Sequence, residues 1–521
     1  MSGVFPAEAR LTARVNIPVF AGASVLTGVF VLFLLLFPER SGLLMEEIRL
    51  LVCQTFGWYY MLVTATCLFF VLWLACSRFG GLRLGRDGEE PEFGFFSWSG
   101  MLFSSGIGVS LLYFAVSEPV DHFLRPPEGM PSTPQAARQA MQLTFLHWGL
   151  HGWAMYALVG IAVGYGVWRH RYPLALRTAL IPVLGEARSN GWGGHLLDAF
   201  GILVTIPGLV TNLIIGAMLV ASGSGYLLGM DPSRTMLTTI VLLMSGCAAF
   251  IAVVGVRRGI SRVSNLNVVL FLVLLGLVLL HGDVAMILGR FVQNMGDYLD
   301  GLLLKTFDLY AYAEPVEGYG DDGWVGRWTV FFWAWWMSWA PFVGLFIARI
   351  SRGRTVREVV LGVLSIPLIC TFAFHAVLGN MALDLVMSGA DGLASVALKQ
   401  ADMSLYVFLQ HYPFSGPMIF FAVVTCFVLF LTPAESGAIM LADLSRLGGQ
   451  IGRDASMWLR LFWSLVVTLV ALGLLFAGDF VAMQATVVLA ALPFSCVLFL
   501  FLVGLMRWMQ DDPDGVARGE S

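Results

Sequence analysis

Apolar residues in this chain neither alternate nor keep to one helical face; they run in blocks of roughly twenty, separated by short segments that carry most of the arginines. Twelve blocks fall near 16–37, 56–76, 94–117, 142–168, 196–228, 236–256, 264–289, 328–349, 358–383, 415–441, 458–477 and 481–506. About 20 apolar residues is the length at which a helix crosses a bilayer, and the two-residue period of an outer-membrane barrel is missing. The pattern predicts an all-α polytopic membrane protein with 12 transmembrane helices. The first block follows a head containing Arg10 and Arg14, exceeds a signal-peptide core and has no small-residue cleavage pattern behind it, so it reads as a span.

Composition agrees. Of 521 residues, 58% are hydrophobic and 12% charged, with mean hydropathy +0.81, which excludes a water-soluble enzyme. With the N-terminus inside, 21 of the 30 Lys and Arg residues fall in inner segments and 9 in outer ones, so both termini are expected in the cytoplasm. A net charge of −4 without a basic stripe leaves no surface for nucleic acid. The seven cysteines lie in or at the ends of apolar runs without C-x-x-C spacing and read as buried hydrophobes.

Two spans carry helix breakers in their interior. The third reads GMLFSSGIGVSLLYF (100–114), with Gly106 and Gly108 among small residues; the eighth reads WMSWAPFVGLF (336–346), with Pro341 and Gly344. Irregular backbone at membrane depth is tolerated only where protein or a cavity satisfies it, so breaks at matched places predict a midplane site in an inverted-repeat transporter. Close helix packing at GIG and a simple proline kink are the plain alternatives. The repeats would be spans three to seven and eight to twelve, after two extra helices.

Aromatic residues supply the candidate chemistry. In span four Trp148, Trp153 and Tyr156 fall at about 0°, 140° and 80° on a helix, and in span eight Trp335, Trp339 and Trp336 lie at about −20°, 20° and 80° relative to Trp328. Trp324 and Trp328 fit an outer interface belt. The others lie too deep for one. Indole faces with few carboxylates nearby are the physical recipe for a quaternary ammonium, held by ring quadrupoles at about 0.5 to 2 kcal/mol per face.

From these residues the chain resembles the betaine/carnitine/choline transporter family. WTVFFWAWWMSWAPFVGLFIARISRGRTVRE (328–358) is similar to the family signature, and SGIGVSLLYFAVSEP and HWGLHGWAMYALVG to two further family blocks. The resemblance implies a LeuT-like 5+5 inverted repeat, often a homotrimer, in a bacterial inner membrane, with alternating access around one central site. It implies a primary cage of Trp148, Trp153, Tyr156 and Trp336 for an onium head, an inner path lined by Trp335, Trp339, Phe342 and Phe346, and an unwound segment from Ser104 through Ser105 to Ser110 offering backbone dipoles to the substrate's other end. The expected division is 1–15 cytoplasmic, 16–93 two extra helices, 94–289 first repeat, 290–327 outer connection, 328–506 second repeat and 507–521 cytoplasmic tail.

The chain departs from the family pattern at informative places. Choline carriers of the family usually have aspartate where Ser110 stands, which tilts the expectation toward a zwitterionic betaine over choline or carnitine. Family sodium carriers use a Thr-Ser pair in span ten and two threonines in span five; FLTPAESG keeps Thr432 but has Pro433, and VTIPGLVTNLIIG keeps Thr205 but has Leu209, with Pro207 and Asn212 also unusual. Ser104, Ile107, Thr205, Thr432 and Glu435 are therefore the ion-coupling candidates, for H+ or Na+, and exchange without an ion stays open. Glu435, an intramembrane carboxylate, is the candidate for protons or else a backbone-bonded polar residue; His147 and His151 either titrate or hydrogen-bond within the bundle. No cofactor and no metal beyond a possible Na+ site are expected. Arg349 to Arg357 form an inner anchor or a gate with Glu358. The acidic end QDDPDGVARGES predicts little tail-based osmotic regulation.

A channel would need a continuous polar lining, and a membrane enzyme a motif such as H-E-x-x-H; the sequence offers neither in a suitable context.

Overall fold

The computed structural model describes residues 15–106, 108–254, 259–447 and 455–512. These residues are helical throughout, with no strand among them beyond the isolated bridges Val15–Arg446 and Arg83–Thr355. Inside a bilayer a backbone must satisfy its own hydrogen bonds, and helices do so within one segment. The long helices are α1 (Ile17–Leu36), α2 (Pro38–Cys76), α3 (Phe95–Gly106), α4 (Ser110–Leu124), α5 (Pro134–Trp148), α6 (Leu150–Trp168) and α7 (Trp192–Leu228), then α8 (Arg234–Val254), α9 (Gly259–Leu279) and α10 (Val284–Phe307). After an outer connection come α11 (Phe331–Ile350), α12 (Val356–Met387), α13 (Ser415–Leu444), α14 (Met457–Ala477) and α15 (Asp479–Asp511). Among the described residues 10 helical stretches are long and apolar enough to cross a membrane, or 11 if the pair α9 and α10, bent by 113°, counts as one broken span. The chain is thus a multi-pass membrane protein.

The third span is broken as expected, α3 ending at Gly106 and α4 starting at Ser110. The eighth is not: α11 runs unbroken through Pro341 and Gly344. Gly344 serves packing instead, since a Cβ there would sit 2.4 Å from Val159 Cγ1 of α6. The second interruption lies in span four, at Gly149 between α5 and α6. A Cβ at Gly149 would meet Phe145 O at 2.3 Å and Tyr298 Oη at 2.6 Å, and the Leu150 N–H that the break frees donates to Tyr298 Oη at 3.1 Å. Span seven also ends earlier than its hydropathy suggests, at Leu279, and α10 begins a separate helix that delivers Tyr298 to that break.

Trp324 and Trp328 do not form an interface belt. Trp324 is buried against His122 and His147, and the Trp328 N–H donates to Asp121 Oδ2 at 3.0 Å. Before α12, Arg352 pairs with Glu89 at 2.7 Å, and Arg83 donates to Gly353 O at 2.6 Å. Glu358 closes a capping box on Thr355 at the start of α12, and its Arg354 contact is long, at 4.0 Å.

Candidate functional site

α4, α5, α6, α7 and α11 meet around a cavity lined by Gly108, Ser110, Trp148, Tyr156, Asn212, Trp335, Trp336 and Trp339, with a volume of about 30 Å³. That is about the share of one water molecule, so the rings stand closed on one another. Trp336 and Trp148 stand at 79° with ring centroids 6.3 Å apart, and Tyr156 closes on Trp336 at 5.1 Å.

The ring faces are fixed from behind. The Trp336 N–H donates to His147 O at 2.8 Å, and the Trp148 N–H to Glu118 Oε2 at 2.9 Å. With both polar edges tied into the bundle, the two indoles are oriented by bonds that the cavity does not supply. Gly152 makes room for the second of them: a Cβ would lie 2.1 Å from Trp336 Cδ2. Here the absence of a side chain sets the geometry of an aromatic wall.

The expected cage residues are brought together, with one rearrangement. Trp148, Tyr156 and Trp336 line the cavity, while Trp153 stands behind them at 5.6 Å from both Tyr156 and Trp336. Trp335 and Trp339, expected along the inner path, form part of the cavity wall. Phe342 packs on Trp339 at 5.6 Å, and Phe346, a turn further along, is half-buried. Ser110 begins α4 and faces the cavity; Ile107 and the side chains of Ser104 and Ser105 lie outside the described residues.

Three of the ion-coupling candidates, Thr205, Thr432 and Glu435, have described side chains. Thr205 donates to Gly201 O at 2.7 Å within its own helix, and Thr432 accepts from Asn267 Nδ2 at 2.5 Å. Glu435 is buried with no hydrogen-bond partner at Oε1. Leu209 packs where a Cβ on Gly437 would fall, at 2.5 Å. His151 bonds Thr306 at 2.8 Å, so it is held within the bundle.

Two groups escaped the sequence reading. Asn212, noted only as unusual, is 1% exposed, lines the cavity and has no partner at Oδ1 or Nδ2. Buried amides are normally bonded, so an open one at a cavity wall is arranged for something that enters. Glu118 lies one residue beyond the predicted end of span three at 117, whereas α4 continues to Leu124. The rule that an intramembrane carboxylate is a functional candidate would have found it had the span been longer.

Aromatic faces oriented by bonds to the bundle, with one open amide among them, suit a compact cation carrying a polar tail. The family model of the betaine/carnitine/choline transporters matches residues 18–514. An osmo-independent choline transporter, BetT1, of Acinetobacter baylyi is 48% identical over 96% of this chain and 94% of its own length. A high-affinity choline transport protein of Escherichia coli is 40% identical over 96% of this chain and 73% of its own. A glycine betaine transporter of Acinetobacter baylyi is 36% identical over 96% of this chain and 74% of its own. A match across nearly the whole sequence, with relatives well above 30% identity, places this chain in the betaine/carnitine/choline family of transporters.

Proposed function

We propose that the protein is a secondary active transporter that imports a short quaternary ammonium solute by alternating access around the tryptophan cavity. The observation that carries the reading is the set of faces from Trp148, Tyr156, Trp335, Trp336 and Trp339 around one small space. An onium head cannot donate a hydrogen bond, so ring faces are its natural partners.

The polar tail of the substrate meets Asn212, whose amide donates to a carboxylate or accepts from a hydroxyl. Ser110 and the N-terminus of α4 lie beside it, the end of a helix that favours negative charge. The cavity wall contains no carboxylate among the described residues, which favours a zwitterion such as glycine betaine. The second reading is choline, favoured by the relatives at 48% and 40% identity, which are choline transporters. Choline brings a net charge that this wall alone does not balance.

In this reading twelve spans form a five-plus-five repeat after two extra helices, with both termini cytoplasmic in a bacterial inner membrane and three copies assembled. Support comes from the arginine distribution and from the broken third span. Crosslinking in native membranes tests the trimer, and cysteine accessibility from the two sides tests the orientation.

The direct test of function is isothermal titration of the purified protein with tetramethylammonium, choline and glycine betaine, followed by uptake into proteoliposomes. Saturable binding of the bare head group and uptake of at least one tailed substrate are expected. If none of the three binds, the cage reading fails.

A further inference from the structure

Behind Trp148 lies a cluster that the cage does not explain. Glu118 is fully buried; its Oε1 is 2.7 Å from His147 Nδ1 and 3.5 Å from His122 Nε2, and its Oε2 accepts from Trp148. His147 Nε2 is 3.1 Å from Thr329 Oγ1. His122 is fully buried as well, with neither ring nitrogen hydrogen-bonded. None of the described lysines or arginines makes an ion pair with Glu118.

Charged groups around the cluster are satisfied elsewhere. On the same helix Asp121 is held by Arg125, and Tyr319 of the outer connection and Trp328 donate to it. Lys305 at the end of α10 is bound to Glu128 and Asp308. His151 of α6 bonds Thr306, and His375 of α12 bonds Thr371 O at 2.9 Å while packing on Trp148. Arg327 lines the outer vestibule. A lone carboxylate at this depth is costly without a positive partner, so the cluster as built is neutral when it holds one proton.

Its bonds survive the loss of that proton. With it, Glu118 carries the proton on Oε1, facing His122 Nε2, while the same oxygen accepts from the Nδ1–H of a neutral His147; without it, that Nδ1–H still donates to the carboxylate, and in both states the Thr329 hydroxyl donates to Nε2. His122, next to Oε1, packs at 4.6 Å on Trp328. Trp328 and Asp121 are in turn part of the wall of the outer vestibule, so the route from Glu118 to water is short.

We propose that Glu118, His122 and His147 form a proton site that provides the counter-charge for a cationic substrate, releasing one proton as a net cation such as choline enters the cage. The inference rests on the onium reading above. Charge balances: the cation enters, the proton leaves through His122 to the vestibule, and the site keeps the same net charge. The released cluster is one negative charge joined through the Trp148 N–H to a cage whose wall has no carboxylate of its own among the described residues. A betaine brings its own carboxylate and has no need of the exchange. Glu118 acts through Trp148 and is a positioning residue; it does not touch substrate.

A unit charge about 10 Å away, at an effective dielectric of about 20, changes an affinity by roughly ten- to twentyfold. The experiment is titration of the full-length protein with choline and with glycine betaine from pH 5 to 9, in buffers of different ionisation enthalpy so that proton release is counted. Choline is expected to bind roughly tenfold more tightly at the alkaline end and to release close to one proton, while betaine changes little. Glu118→Gln keeps an oxygen for the Trp148 N–H and should weaken choline about tenfold at high pH, flatten its pH profile and spare betaine. His122→Asn, for use should the first variant not fold, should shift the midpoint of the choline profile.

A pH-independent choline affinity in the parent protein, or an unchanged profile in both variants, overturns the proposal while leaving the cage intact. Absence of binding by either solute at every pH overturns the cage reading and this inference with it.

Discussion

Replacing Trp336 by leucine removes one face of the cavity and leaves the rest standing. Its ring lies 5.1 Å from Tyr156, 5.6 Å from Trp153 and 6.3 Å from Trp148, so it is the wall that the others share. A desolvated cation–π face contributes up to about 2 kcal/mol, and at 1.4 kcal/mol per tenfold the variant should bind about ten- to thirtyfold more weakly. The head group is common to tetramethylammonium, choline and glycine betaine, so all three should lose the same factor. On the folding side, His147 O loses its donor, at about 1 kcal/mol, and the smaller side chain leaves space beside Gly152, adding about 2 kcal/mol. The variant should still fold. Calorimetric titration of detergent-purified protein gives the affinities, and thermal unfolding reports the fold. Unchanged affinity for the bare head group in a folded Trp336→Leu would refute the cage; a loss confined to the tailed solutes would move Trp336 from the head to the tail of the site.

Asn212→Leu should leave tetramethylammonium affinity intact and weaken choline and betaine severalfold, and Asn212→Asp should penalise betaine more than choline; equal effects on all three solutes would assign Asn212 to packing. Gly152→Ala places a methyl group within the Trp336 ring and should reduce binding of every onium, read in the same titration. Pro433→Ser should introduce sodium dependence of uptake if a hydroxyl in span ten is what the ion shell lacks; uptake equal in sodium and potassium would reject that account. Between α2 and α3, the Arg86 amide and then the Arg352 guanidinium hold the Glu89 carboxyl below its usual range. Its contribution is therefore present above the ordinary carboxylate pKa and lost as the pH falls through the depressed one. The protection factor of the Gly353 amide, bonded to Leu84 O, should fall at acid pH in the parent protein and already be lower at neutral pH in Arg352→Ala.

Much of this molecule was legible in the chain. Apolar blocks of bilayer length determine helices because no other open structure satisfies a backbone in hydrocarbon, and the placement of arginine argues for their orientation. Trp148, Tyr156 and Trp336 could be singled out because indoles deep in a span have no interface to explain them. What the chain alone did not decide was where helices break and what stands behind the rings. Pro341 sits in a continuous helix that packs closely on α6 at Gly344, while Gly149 interrupts one where Tyr298, 149 residues away, takes up the freed N–H. That Asn212 has no partner and Glu118 no cation becomes visible once α7 and α4 are set beside α6, since both are properties of the surroundings. Sequence determined which residues enter the membrane; tertiary packing decided which of their polar atoms are left open there, because partners far apart in sequence are matched only by the fold.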